Sequence, residues 1–161
     1  MLNNADQVEQ LLQTNDKGAK AQVGYDLTLK EVKRVKGGTV TTRQTIVTPY
    51  EEVSTITMDG DSSKYYLLAP GTYSLTFDQG IKLPSFKTAF IRHRSSVLRC
   101  GATITSGVYD PGFEVDEMGA VLIATQPITL EVGARVAQII IFDNFDAELY
   151  NGQFQKSGDI K

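Results

Sequence analysis

Between Ile91 and Phe113 the chain reads IRHRSSVLRCGATITSGVYDPGF. Arg94, Ser95, Ser96 and Arg99 bring guanidinium and hydroxyl donors together in a cluster suited to phosphate oxygens. Thr103 to Val108 then alternates polar and β-branched residues and is broken by Gly107. Asp110 follows in the turn Tyr109–Phe113, and a carboxylate there can accept a proton from water. A phosphate grip and a base on one hairpin suggest recognition or cleavage of a nucleoside triphosphate. The plainer alternative is a surface β-hairpin with ordinary charged residues.

The elements that must position these groups belong to a chain of 161 residues, the size of one domain with a real core. Hydrophobic residues make up 41% and charged residues 22%, a globular rather than a disordered composition. The net charge of −3 carries no basic bias, which argues against a nucleic-acid polymer as partner but not against a small anion. Cys100 is the only cysteine and His93 the only histidine, so an intrachain disulfide, a cysteine metal cluster and the zinc-dependent type of base deaminase are all excluded. No apolar run approaches the ~20 residues of a membrane span, and no secretory pattern opens the chain. A cytoplasmic protein without membrane contact is the expectation.

Asn3 to Gln13 reads as one short helix, with Val8, Leu11 and Leu12 at helical spacing and Asn3 or Asn4 as the cap. Thr14 to Lys20 reads as a loop. Val23 to Val35 alternates as a strand, Lys36 to Gly38 turns, and Thr39 to Val47 returns. Thr48 to Ser63 is polar and reads as a loop or mobile hairpin. Beyond it short strands and turns follow one another: Tyr65 to Leu68, Tyr73 to Phe77, Gly80 to Pro84, Thr88 to Arg92, Gly101 to Thr105, Gly119 to Ala124, Ile128 to Glu131, and Val136 to Phe142. The polar tail runs from Asp143 to Lys161 and is expected to be flexible. Many short strands with one terminal helix imply an all-β barrel or sandwich in a single domain, 1–161.

The order of motifs resembles one family, the trimeric dUTPase and dCTP deaminase superfamily. Gly24–Leu27 resembles the first dUTPase motif, and Leu68–Tyr73 the PG turn before a core strand of the deaminases. Arg94-Ser95-Ser96 with Arg99 and Gly101 resembles their RSSxxRxG segment. Gly107–Phe113 resembles the third motif, GVIDxxY in dUTPases and DPGF or DPGW in deaminases. Gly133–Gln138 resembles the GxRIAQ motif. The resemblance implies a jelly-roll-like β fold (the dUTPase β-clip), a homotrimer with active sites between subunits, a pyrimidine deoxynucleoside triphosphate as substrate, and Mg²⁺ held by the triphosphate and water rather than by protein ligands.

On that resemblance Asp110 would activate the hydrolytic water, or else only shape its turn. Arg94, Ser95 and Ser96 would hold phosphate oxygens. Arg99 stays ambiguous between phosphate and a subunit-interface salt bridge. Gln138 would reach phosphate or sit as a polar strand-edge residue. Phe113 would stack under the deoxyribose or pack in the core. The backbone from Thr103 to Tyr109, with Thr105, Ser106 and Val108, would read the pyrimidine edge, and Asp26 would support the serine cluster. The tail Tyr150–Gln155 resembles a deaminase-type lid with Tyr150 and Gln153 over the nucleotide. Leu149 stands where that lid carries lysine, and Lys156 is the nearby cation that could substitute.

The deaminases also need a glutamate on the strand after DPGF. Here Gly119–Ala124 carries none, and Glu114, Asp116 and Glu117 precede it. The expectation is therefore a dUTP pyrophosphatase. The alternatives are a dCTP deaminase, mono- or bifunctional, using Glu114 or Glu117; a pyrophosphatase for another pyrimidine nucleotide; or a non-catalytic nucleotide-binding regulator.

Overall fold

The structure, a computed structural model, describes residues 1–13, 17–145 and 148–152. In chain order its elements are α1 (Ala5–Glu9), β1 (Leu12–Gln13), β2 (Ala19–Lys20), β3 (Tyr25–Arg34), β4 (Gly38–Val40), β5 (Thr45–Val47), β6 (Glu51–Glu52), β7 (Ile56–Thr57), β8 (Lys64–Leu68) and β9 (Gly71–Phe77). They continue as β10 (Gly80–Lys82), β11 (Lys87–His93), α2 (Ser95–Arg99), β12 (Ala102–Thr105), β13 (Glu114–Val115), β14 (Gly119–Ala124), β15 (Ile128–Glu131) and β16 (Arg135–Asp143). The expected all-β fold is what these elements build.

Alternation of apolar and polar residues makes the long strands amphipathic, and they close into a barrel with their apolar side inward. The strand order is β16-β11-β12-β14-β9-β3, and β3 also pairs with β16. Two seams therefore meet in one strand. Tyr25–Thr28 pairs with β16, while Leu29–Arg34 pairs with β9 in a ladder whose register shifts between Leu29 and Glu31. Leu27, Leu29, Phe77, Ile91, Ile104, Leu122, Ile139 and Ile141 fill the interior. Each such side chain contributes about 1.5–3 kcal/mol on burial. Among the described residues no helix is long and apolar enough to cross a membrane.

Several local expectations are corrected. The N-terminal helix stops at Glu9 rather than Gln13. A capping box between Asn4 and Gln7 starts it, and only Val8 is buried on its face. Leu12, a helical position by spacing, instead pairs as a strand with Ile81. Part of the expected loop before residue 21 is β2, held on β3. The return strand expected over 39–47 is two short strands, because Thr41 and Gln44 close a turn between them. The segment 48–63 carries β6 and β7, which pair with β3 and β8.

The tail boundary placed at Asp143 falls inside β16. Asp143 accepts from Lys87 Nζ (2.7 Å) and from Asn3 Nδ2 (3.0 Å), which ties the N-terminal segment to the barrel. The Lys87 ammonium is the main reason the Asp143 carboxyl is drawn down to about 2. A depressed carboxyl pKa adds stability above the ordinary carboxylate value, and that stability is lost as pH falls through the folded value. The stability advantage of the native chain over Asp143→Asn should thus be constant near neutrality and vanish between about pH 4 and pH 2. Thermal melts of both proteins across that window check this, and an advantage that persists unchanged at the acid end would show that the ion pair contributes nothing.

Candidate active site

The motif residues fall on the outer face of the barrel, and cross-strand register explains why. Asp26 on β3 faces Gln138 on β16, and Gln138 faces Arg92 on β11. Arg92 faces Thr105 on β12, Thr105 faces Val121 on β14, and Val121 faces Ser74 on β9. Directly paired residues share a face of the sheet. This row therefore runs around the barrel exterior through most of the motifs.

At one end of the row is a cavity of about 710 Å³. Its walls are the segment Thr105–Tyr109, the ring of Phe113, the start of β14 (Gly119–Val121), and the side chains of Ser74, Glu117 and Tyr150. Antiparallel pairing with β11 resumes at the Ala89–Tyr109 bridge after the Arg92–Thr105 pair. Ser106, Gly107 and Val108 bulge out between these points. Ser106 Oγ takes over part of the ladder, accepting from Ile91 N at 2.9 Å. Val108 is exposed, and Gly107 has open space where a Cβ would lie.

The turn after this bulge is dictated by sequence. Phe113 N donates to Asp110 O at 3.1 Å, with Pro111 and Gly112 between them. Gly112 has φ +80°, the left-handed geometry that a type II turn demands at its third position and that glycine adopts without strain. The turn leaves Asp110 exposed and sends Phe113 inward, where its ring is buried. Tyr109 and Tyr150 pack on Phe113 with ring centroids 5.0 and 5.1 Å away. Tyr150 N donates to Pro111 O at 2.7 Å, so the segment around Tyr150 is docked on the turn. Tyr109 Oη donates to Gly119 O at 2.6 Å and locks the bulge to β14. Burial pushes the Tyr109 hydroxyl up to about 12, so it stays protonated at neutral pH.

At the other end of the row is an ion cluster. The buried Asp26 carboxylate meets Arg94 Nε at 3.1 Å and Arg135 Nη1 at 3.6 Å. Arg94 Nη1 also donates to Arg135 O at 3.1 Å. Arg94 is the N-cap of α2, a single helical turn that lifts Ser95, Ser96 and Arg99 into solvent. That helix was not expected. Its sequence has no capping side chain and is too short for a periodic signal.

Thr105, Ser106, Val108, Phe113 and Tyr150 thus come together at the cavity as expected from sequence. Arg94, Ser95, Ser96, Arg99 and Gln138 do not line it, and neither does Asp110. Thr103 also stands apart, within the β12 ladder. Gln153 and Lys156 lie outside the described residues. Asp26 contacts Arg94 rather than the serines. The sequence reading missed Tyr50 and Ser74 as wall residues and admitted Glu117 only through a displaced alignment. Glu117 reaches the wall from the turn before β14, its carboxylate paired with Lys30. That hydrogen bond is the largest cause of the raised Lys30 pKa.

A family model for dCTP deaminase-like proteins matches residues 3–144. A protein of Aeropyrum pernix described as a probable deoxyuridine 5′-triphosphate nucleotidohydrolase is 33% identical over 94 residues, 56% of this chain and 59% of that protein. One of Methanosarcina barkeri with the same description is 28% identical over 159 residues, 96% of this chain and 86% of that protein. Among solved structures, the 2′-deoxycytidine 5′-triphosphate deaminase of Agrobacterium tumefaciens superposes with a TM-score of 0.63 at 15% identity. That match covers 87% of this chain and 47% of the deaminase chain, and it shows the shared fold. With a barrel of that architecture and a family match over most of its length, this chain belongs to the dCTP deaminase-like family.

Proposed function

We propose that the protein hydrolyses dUTP to dUMP and pyrophosphate. The observation that carries this reading is the cavity of about 710 Å³ walled by the 105–109 bulge and Phe113, beside the turn that bears Asp110. Its volume lies in the range of small-ligand sites. The names of the archaeal relatives support the choice of uracil and of hydrolysis.

In this mechanism the pyrimidine edge lies against the main chain of Thr105 to Tyr109, and Phe113 supports the deoxyribose. The Asp110 carboxylate accepts a proton from water as that water attacks the α-phosphorus, and the bond to the bridging oxygen breaks to release pyrophosphate. Arg94, Ser95, Ser96 and Gln138 take phosphate oxygens. Those groups lie outside the cavity of a single chain, which favours sites completed across a homotrimer, with Arg99 near the subunit contact. Tyr150 and its segment act as the lid over the nucleotide. Among the described residues no group of three or more His, Cys, Asp and Glu side chains could hold a metal ion. Mg²⁺, which the resemblance implies, would arrive on the triphosphate and would there supply charge neutralisation of the phosphates.

A second reading is favoured by one observation: Glu117 lines the cavity. A carboxylate there is the group that deamination of dCTP would require for proton transfer. The two readings give different products. Incubation with Mg²⁺ and dUTP, dCTP or dTTP should yield a monophosphate and pyrophosphate without ammonia, and dUTP should be the preferred substrate. Ammonia from dCTP, abolished in Glu117→Gln, would establish deamination instead.

Asp110→Asn should reduce turnover by about 10²–10⁴-fold while nucleotide binding is kept. Turnover retained in full by that variant would remove Asp110 from the chemistry.

A further inference from the structure

Aromatic side chains of four residues line the cavity: Tyr50, Tyr109, Phe113 and Tyr150. Three of them are committed to one another. Tyr109 and Tyr150 pack on Phe113, and the Tyr109 hydroxyl is spent on Gly119. Tyr50 stands apart. Among the described residues its ring packs on no other ring and its hydroxyl holds no hydrogen bond. It is 44% exposed, so an aromatic face in the cavity wall stays open to water.

The sheet explains how Tyr50 reaches this wall. It lies between β6 and the β4–β5 hairpin, whose two strands pair only with each other. β6 docks on β3 through the pairs Lys33–Glu52 and Arg34–Glu51. Surface ion pairs accompany the ladder, from Lys33 Nζ to Glu52 at 3.1 Å and from Lys36 Nζ to Glu51 at 3.0 Å. Lys33 also faces Ser74 on β9, and Ser74 is itself a wall residue. The residue two before Glu52 is thereby delivered to the same cavity.

A pyrimidine held by its edge against the main chain of Thr105 to Tyr109 still has two ring faces to cover. Laying one ring on another removes water from both at a gain. Tyr50 has an open face to give, whereas the other three rings are already packed together. We propose that Tyr50 is a substrate-binding residue whose ring stacks on the pyrimidine base. The inference rests on the reading of this cavity as the base site, and it adds an aromatic contact from a segment outside the motifs. Stacking accepts any base, so Tyr50 contributes affinity and leaves the choice of base to the bulge.

The test titrates dUMP and dCMP by calorimetry into the native chain, Tyr50→Ala, Tyr50→Leu and Tyr50→Phe, and assays pyrophosphate release from dUTP on the same native preparation. Tyr50→Ala should weaken the preferred monophosphate about tenfold, the size of a lost base-stacking contact. Its melting temperature without nucleotide should stay within about 2 °C of native. Tyr50→Leu should lose nearly as much affinity, and Tyr50→Phe should stay within about twofold of native because it keeps the ring. Native-like binding by Tyr50→Ala would overturn the proposal. So would a Tyr50→Phe as weak as the alanine variant, which would assign the effect to the hydroxyl. A Tyr50→Leu as tight as the native chain would also overturn it, because apolar volume would then suffice. Binding of a monophosphate with no pyrophosphate released from dUTP defeats the hydrolytic reading and leaves the Tyr50 comparison standing. If the native chain binds neither monophosphate, both are overturned.

Discussion

Closure of the barrel through β3 is the constraint from which the site follows. One strand must satisfy β16 with its first half and β9 with its second, and it changes partner between Thr28 and Leu29, just before the β9 ladder shifts register. The approach is close enough that a Cβ on Gly24 would stand 2.2 Å from Ile139 O, a contact only glycine avoids. Once this seam is closed, the pairing of each strand with the next fixes which residues share the outer row. The side chains of that row are then set in place by main-chain hydrogen bonds. Such a site is pre-organised, because moving one member requires breaking a ladder.

The same seam accounts for the ion cluster. Asp26 faces away from the core, yet it is buried, because β2 pairs beside it and two guanidiniums cover it. A buried carboxylate requires compensation of that kind. Arg94 and Arg135 provide it, so part of the positive charge that a motif reading assigns to substrate is already committed to the fold. This is why a guanidinium's availability has to be judged from its partners and not from its place in a motif.

Much of the barrel is legible in the sequence because its strands are long and alternate cleanly. Tyr25–Arg34, Gly71–Phe77 and Arg135–Asp143 are all near the bounds that alternation suggests. The failures are short elements. Val8, Leu11 and Leu12 fit a helical face, but Leu12 gains more by pairing with Ile81 than by extending one turn of helix. At α2 the serines and arginine mark a functional motif and hide a helix too short to show a period. In the site, the 105–109 segment, Phe113 and Tyr150 were legible from motif order. Tyr50 and Ser74 were not, because they reach the cavity from distant parts of the chain, and only the folding of the sheet brings them there.

The composition of the cavity wall also bears on which chemistry it can support. From β14 it receives Gly119, Ala120 and Val121, none of which can transfer a proton. The alternating positions Leu122 and Ala124 point into the packed barrel, where a carboxylate without a partner would cost several kcal/mol. Tyr109 is held protonated by burial and spends its hydroxyl on Gly119. Glu117 is left as the wall's one carboxylate among the described residues, and the Lys30 ammonium occupies one of its oxygens. A proton shuttle between water and a base must cycle a carboxyl through both protonation states, so it would have to break this pair in every turnover. Hydrolysis at the α-phosphorus makes no such demand on the wall. It would need a shaped, mostly apolar pocket for a base and an exposed carboxylate nearby for the water, and this cavity with the Asp110 turn beside it offers both kinds of group.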